Sequence, residues 1–345
     1  MPAGFVLLLI AAVAAAAIGH VGVRAVEHLA ARGLFLDQPG AHRMHASAVP
    51  RGAGIGIPVG LLLIGLLPNL AFPQVAQWQI TAALLALAVV LVAAVGWIDD
   101  HRGLGAGLRL LAHVTAALCV ALACWMAEMA QSPWTFALGA LTVIAVTASI
   151  NLHNFLDGAD GLLATQALFG LALLAGLGWR AGHLPLALTA VGASGAIAGF
   201  LPHNAPRARV FMGDVGSGTI GLAIGAIGAL AVRDHVLSLP MLLLIVSGCL
   251  IDTGMTLATR IARGTRFWER HQDHLYQWLI RGGWSHARVA TAWIVWNMAV
   301  VVPALWYAMH KPAHDGIIAV IVYAFGMFIW IIARHRQHLR AESSR

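Results

Sequence analysis

The chemically capable side chains of this sequence gather in four short polar stretches, separated by long apolar runs. In the richest of them, Asn151 to Gly161, Asn151, Asn154, Asp157 and Asp160 stand with two glycines. Polar groups in hydrocarbon are costly unless they are satisfied or face water, so the cluster needs a reason. Asn154, Asp157 and Asp160 recur every three residues. If 154–163 begins a helix, they fall along one side of its first turns. An Asp there caps the helix, and a helix start also favours phosphate. A second stretch ends an apolar run with Asp99-Asp100. Adjacent carboxylates raise each other's proton affinity until a cation, Mg²⁺ or an Arg, relieves them. The third, Phe211-Met212-Gly213-Asp214-Val215-Gly216-Ser217-Gly218, sets a carboxylate among glycines at a helix start, which suits a hard cation beside a phosphate. The fourth, Arg266 to Trp278, carries His271 and His274 among aromatic residues that fit an interfacial belt.

Several chemistries are excluded by spacing. The 151–161 stretch lacks the distal Glu of an EF-hand, and no Walker A sequence is present. The glycines at 52–56 and 213–218 stand outside any βαβ context, so they carry no dinucleotide reading. No Cys or third His completes a zinc set around His271 and His274. Cys119, Cys124 and Cys249 lie in apolar runs and read as small buried hydrophobes. Asp252 stands inside an apolar run, where an ionised carboxylate costs roughly 2.5–3.5 kcal/mol on insertion scales. Support of the helix assembly and contact with substrate both account for it.

The elements that must position these groups are membrane spans. The chain is 60% hydrophobic and 10% charged, against about 25% charged for a soluble domain. A span needs roughly 20 apolar residues, and eleven candidates lie near 3–19, 54–72, 77–97, 107–127, 133–150, 161–179, 184–201, 215–232, 236–258, 288–309 and 315–333. The expected fold is therefore all-α, one polytopic membrane domain over residues 1–345. Of the 21 Lys and Arg, all but Arg180, Arg233 and Lys311 fall on one set of alternating loops. The positive-inside rule places that set in the cytoplasm, with the N-terminus periplasmic and the C-terminus cytoplasmic. Cleavage of the first run as a signal peptide would invert this pattern, so it is read as a span. The basic charge is thus explained by topology and not by nucleic acid. All four polar stretches share the cytoplasmic face.

Taken together and in order, these stretches resemble the polyprenyl-phosphate N-acetylhexosamine-1-phosphate transferases, the MraY/WecA-like glycosyltransferase family 4. The resemblance rests on Asp99-Asp100, on Asn151-x-x-Asn154-x-x-Asp157-Gly158-x-Asp160-Gly161, on Phe211-Met212-Gly213-Asp214-x-Gly216-Ser217 and on the His271/His274 loop. Arg43, His45, Pro50 and Arg51 look like the family's first loop motif. It covers roughly residues 40–290. It implies that an oxygen of undecaprenyl phosphate attacks the β-phosphorus of a UDP-N-acetylhexosamine, releasing UMP, with Mg²⁺ as cofactor and Mn²⁺ as a substitute.

The residue roles follow from the same resemblance. Asn154 and Asp214 are expected to hold the metal. Asp99, Asp100, Asp157 and Asp160 are expected to be catalytic. His45, Arg51, Asn151, Arg266, His271 and His274 are expected to bind substrate. The last loop, His271-Gln272-Asp273-His274-Leu275-Tyr276-Gln277, lacks the consecutive histidines of the MraY branch. It resembles the branch that starts O-antigen or related surface polysaccharides. The expected setting is a bacterial inner membrane, with a homodimer left open. The alternatives are the phospho-MurNAc-pentapeptide reaction and, in a different class, an ion-coupled transporter using Asp157, Asp160 and Asp252 as a cation path.

Overall fold

Apolar runs of this length fold as helices because, in hydrocarbon, every backbone N–H and C=O must be bonded within its own segment. The computed structural model describes residues 2–37, 49–70, 76–129, 132–265 and 272–343. His45, Arg266 and His271 lie outside the described residues, as do Arg43 and Arg270. The chain runs through α1 (Pro2–Ala30), the antiparallel pair of two-residue strands β1 (Leu36–Asp37) and β2 (Val49–Pro50), and α2 (Ala53–Leu70). It continues through α3 (Ala76–Arg102), α4 (Ala106–Met129), α5 (Pro133–Asn154), α6 (Leu162–Arg180), α7 (Leu184–Asn204) and α8 (Gly213–Arg233). Then come α9 (Leu239–Ile245), α10 (Ser247–Ala262), the short α11 (Leu275–Arg281), α12 (His286–His310) and α13 (Asp315–Ser343).

Ten of these helices are long and apolar enough to cross a membrane, and α9 with α10 makes an eleventh if the pair is one span. The chain is an all-α polytopic membrane protein. The bundle is built around α8, whose apolar window is 83% inside the protein against 22% for the last span. Around α8 stand α3, α5, α6, α7, α4 and α2.

The sequence predicts a single span over 236–258. The structure breaks it at Val246, where α9 and α10 meet at 83°. Two indoles from α12 meet the bend: Trp293 Nε1 donates to the Gly248 carbonyl (3.0 Å) and Trp296 Nε1 to Ser247 Oγ (3.1 Å). Partners of this kind let a helix bend at membrane depth without stranding polar groups. Hydropathy alone reads straight through the bend, because the Ser247-Gly248 pair there barely lowers the average of so apolar a run.

At the end of the bundle opposite the acidic residues, the α6–α7 and α8–α9 turns are tied together. His183 Nε2 lies 3.1 Å from Asp234 Oδ2, and Arg233 Nε donates to Asp234 Oδ1 at 2.6 Å. Arg233 also donates to the carbonyls of Ala123 (3.0 Å) and Cys124 (3.2 Å) in α4.

Candidate active site

Two close approaches bring the paired aspartates to the start of α8. Gly96 of α3 packs on α8 so tightly that a Cβ would come within 2.6 Å of the Asp214 carbonyl oxygen. Gly213 has φ +75°, and a Cβ there would run into the Asp100 carboxylate. With both positions glycine, Asp100 reaches the free N–H groups of the first α8 turn. Its Oδ1 accepts from Asp214 N (2.8 Å) and its Oδ2 from Val215 N (3.2 Å). A carboxylate is favoured there by the unpaired amides and by the helix dipole.

Asp99 meets the Asp214 side chain and also turns toward α4. It accepts from the Leu104 amide and, at 3.0 Å, from Arg109 of α4. Arg109 also donates to Asp214 Oδ2 (3.3 Å). From the other side, Arg51 donates to Asp100 Oδ1 (2.9 Å) and to Asp214 Oδ1 (3.4 Å). Arg51 is held there because its segment pairs with the approach to α8: Phe211 N bonds to Pro50 O, Ala53 N to Phe211 O and Gly54 N to Met212 O. The relief that adjacent carboxylates need is thus supplied in part by two guanidinium groups, one from each flank.

The sequence predicts that 154–163 begins a helix with Asp157 as a candidate cap. Instead Asn154 ends α5, α6 begins at Leu162, and the residues between form tight turns. The cap of α6 is Gly161 (φ +71°), with no side-chain capping bond. Gly161 ends the turns in a left-handed conformation that a regular helix through 154–163 cannot contain. Asn154 stays at the site, its Oδ1 accepting from the Ser217 hydroxyl of α8 (2.8 Å). Asn151 is one turn back and bonds the Thr147 carbonyl at 2.7 Å. Its side chain also meets that of His113, buried in α4.

Asp157 and Asp160 part company within this turn. Asp160 is tied down: its Oδ1 lies 2.9 Å from His286 Nδ1 of α12, and its Oδ2 accepts from Ala208 N at 3.0 Å. Burial acts to raise its pKa, but these bonds prevail and hold it below the usual carboxylate range. Asp157 is half-buried, and among the described residues its carboxylate has neither a hydrogen bond nor an ion pair. Desolvation, and then the charge of Asp214, raise it well above the usual range. His274 does not open onto this cluster as a free side chain. It is 3% exposed, with its ring beside those of Phe155 and Tyr276.

Asp99, Asp100, Asp157 and Asp214 therefore share one end of the bundle with Arg51 and Arg109, while Asp160 is turned toward α12. Four carboxylates face two guanidinium groups, and the balance of charge favours a hard dication. Among the described residues no three His, Cys, Asp or Glu side chains form a ready metal cage. Mg²⁺ would need only one or two of these carboxylates, with substrate phosphates completing its shell.

Comparison with known proteins agrees with this arrangement. The model of "Glycosyl transferase family 4" matches residues 82–232, which hold Asp99, Asp100, Asn151 to Asp160 and Asp214. The decaprenyl-phosphate N-acetylglucosaminephosphotransferase of Mycobacterium tuberculosis is 31% identical, over 82% of this chain and 78% of its own. This chain belongs to glycosyl transferase family 4, the polyprenyl-phosphate sugar-1-phosphate transferases. A phospho-N-acetylmuramoyl-pentapeptide-transferase of Synechococcus is also 31% identical, over 73% of this chain and 77% of its own. A probable undecaprenyl-phosphate N-acetylglucosaminyl 1-phosphate transferase of Bacillus subtilis is 25% identical, over 73% and 71%.

The family membership sets the transporter alternative aside. Sequence reasoning counted Arg109 only as a flanking positive charge, gave Ser217 and Asn204 no role of their own, and passed over His286. An Arg inside an apolar run was the signal for Arg109. His286 carried none, because its partner lies 126 residues away.

Proposed function

We propose that this protein transfers N-acetylhexosamine 1-phosphate from a UDP-sugar to undecaprenyl phosphate, at the cytoplasmic face of a bacterial inner membrane. One oxygen of the lipid phosphate forms a bond to the β-phosphorus of the donor. The bond from that phosphorus to the bridging oxygen breaks, and UMP leaves with the bridging oxygen. The product is a lipid diphosphate-sugar, the starting unit of O-antigen or a related surface polysaccharide.

The observation that carries this reading is the cluster of Asp99, Asp100 and Asp214 bridged by Arg51 and Arg109, where carboxylates outnumber guanidinium groups, with the unpartnered Asp157 carboxylate at the same end of the bundle. Phosphoryl transfer asks the protein mainly for positioning and charge neutralisation. Asp214, Asn154 and Asp157 are the donors that would hold Mg²⁺, with Mn²⁺ as a substitute. When bound, the ion neutralises the diphosphate. Arg51 and Arg109 each bridge two of the aspartates and offer N–H donors to phosphate oxygens. Asp99, on the α3–α4 side, is assigned to the lipid phosphate. Asn151, with His45, Arg266 and His271, is assigned to the donor, and His274, buried beside Phe155 and Tyr276, to the support of that loop.

The test is turnover by purified protein given Mg²⁺, undecaprenyl phosphate and, in turn, UDP-GlcNAc, UDP-FucNAc and UDP-QuiNAc. The names of two relatives make UDP-GlcNAc the first donor to try. Metal-dependent release of UMP with a lipid-linked product supports the proposal. No such product from any of the three overturns it. Turnover of UDP-MurNAc-pentapeptide alone would reassign the chain to the reaction for which the Synechococcus relative is named.

A further inference from the structure

Asp252 is 2% exposed and lies within the transmembrane part of α10. A buried carboxylate persists only with good partners, and Asp252 has three. It accepts from the Leu275 amide (2.7 Å), the Tyr276 amide (3.3 Å) and the indole N–H of Trp330 in α13 (3.0 Å). The two amides open α11, where N–H groups have no partner within the helix. Asp252 thus fixes where α11 begins and how it is turned.

That orientation is read out by Tyr276, 1% exposed. Its hydroxyl donates to the Phe155 carbonyl at 2.9 Å. It also lies against Gly158, where a Cβ would overlap it. Phe155 and Gly158 flank Asp157 in the chain. Because the Asp157 carboxylate makes no bond of its own among the described residues, its backbone sets its position. The other end of the same turn is pinned by Asn204, whose Oδ1 accepts from Gly161 N (2.9 Å).

We propose that Asp252 and Tyr276 are positioning residues, a strut from α10 through the start of α11 that holds the 155–161 turn and so sets Asp157 at the carboxylate cluster. Neither residue touches the cluster. Their role rests on the proposed function insofar as Asp157 takes part in turnover.

Tyr276→Phe removes the hydroxyl and keeps the ring. In purified protein it should lower kcat by on the order of tenfold with KM for the UDP-sugar nearly unchanged, since small misplacements of a reacting group cost rate more than binding. Asp252→Asn should act in the same direction, and the double variant should lose no more than the worse single variant. Gly158→Ala should impair turnover in the wild-type background and recover part of it when combined with Tyr276→Phe. Amide hydrogen exchange gives a readout independent of turnover. It should quicken over 155–161 in Tyr276→Phe while Gly213–Arg233 is unaffected.

Unchanged kcat in Tyr276→Phe overturns the strut, as does exchange that stays the same over 155–161 or rises in every helix alike. If the wild-type protein makes no lipid product, the proposed function falls and the exchange measurement alone decides whether the strut exists.

Discussion

Arg109 and Asp214 carry the most consequence for single substitutions. Arg109 donates to both Asp99 and Asp214. Arg109→Ala leaves both short of a cation, and turnover should fall roughly a hundredfold, about 2.7 kcal/mol on the barrier. Arg109→Lys should restore part of it. UMP release by both variants checks this. Asp214→Ala and Asn154→Ala should each abolish metal-dependent turnover, and near-normal activity in either purified variant removes that residue from the proposed metal site. His274 offers a test in pH. Burial, against the pull of Asp273, lowers its pKa from 6.5 to about 4. Below pH 6.5 the unfolded chain takes up a proton that the folded protein refuses. Stability should therefore fall as pH drops from 6.5 towards 4, by at most about 3 kcal/mol. Thermal unfolding in detergent across that range should show this slope in the wild type and a shallower one in His274→Gln. The paired aspartates and Asp214 were legible as a cation and phosphate site in the sequence. Their division of labour was not, because adjacent residues on one helix reach partners that only the fold supplies. Asp100 meets the first amides of α8, whereas Asp99 meets the start of α4 and only the side chain of Asp214.

At the scale of elements, the contact of α3 with α8 decides whether the cluster exists. Gly96→Val puts a branched side chain where even a Cβ comes within 2.6 Å of backbone, and overpacking of this kind costs typically 1–3 kcal/mol. Both the thermal midpoint and turnover should drop, whereas Gly107→Val, at a position with open space around it, should change neither. At the α9–α10 bend, Trp293→Phe removes the indole hydrogen bond to the Gly248 carbonyl, at a cost of about 0.5–1.5 kcal/mol for one lost hydrogen bond. Thermal unfolding of that variant should show the loss without a change in KM. Ten spans could be read from hydropathy. The bend could not, because what makes it tolerable is a pair of indoles from a helix more than forty residues downstream. The 155–161 turn was misread as a helix start for a related reason. Its spacing of three suits a helix, but Gly161 takes a left-handed conformation there.

The whole molecule has two unlike ends. At one, charged groups from the segment before α2, from α3 and α4, from the α5–α6 turn and from α8 converge on a cluster with more negative than positive charge. At the other, His183, Arg233 and Asp234 bolt the turns to one another and to α4. Between them runs α8, the most enclosed helix of the bundle. The proposed topology puts the acidic end in the cytoplasm. Cysteine labelling should then reach position 102 from the cytoplasmic side and position 311 from the periplasmic side, and the reverse result overturns it. The bolted end also governs where a product can go. With that end fastened and the axis tightly packed among the described residues, the proposed product, a sugar joined to a lipid at the acidic end, is offered no corridor there. It must depart sideways, into the same leaflet that delivered the lipid. Carrying it to the opposite leaflet is left to another machine.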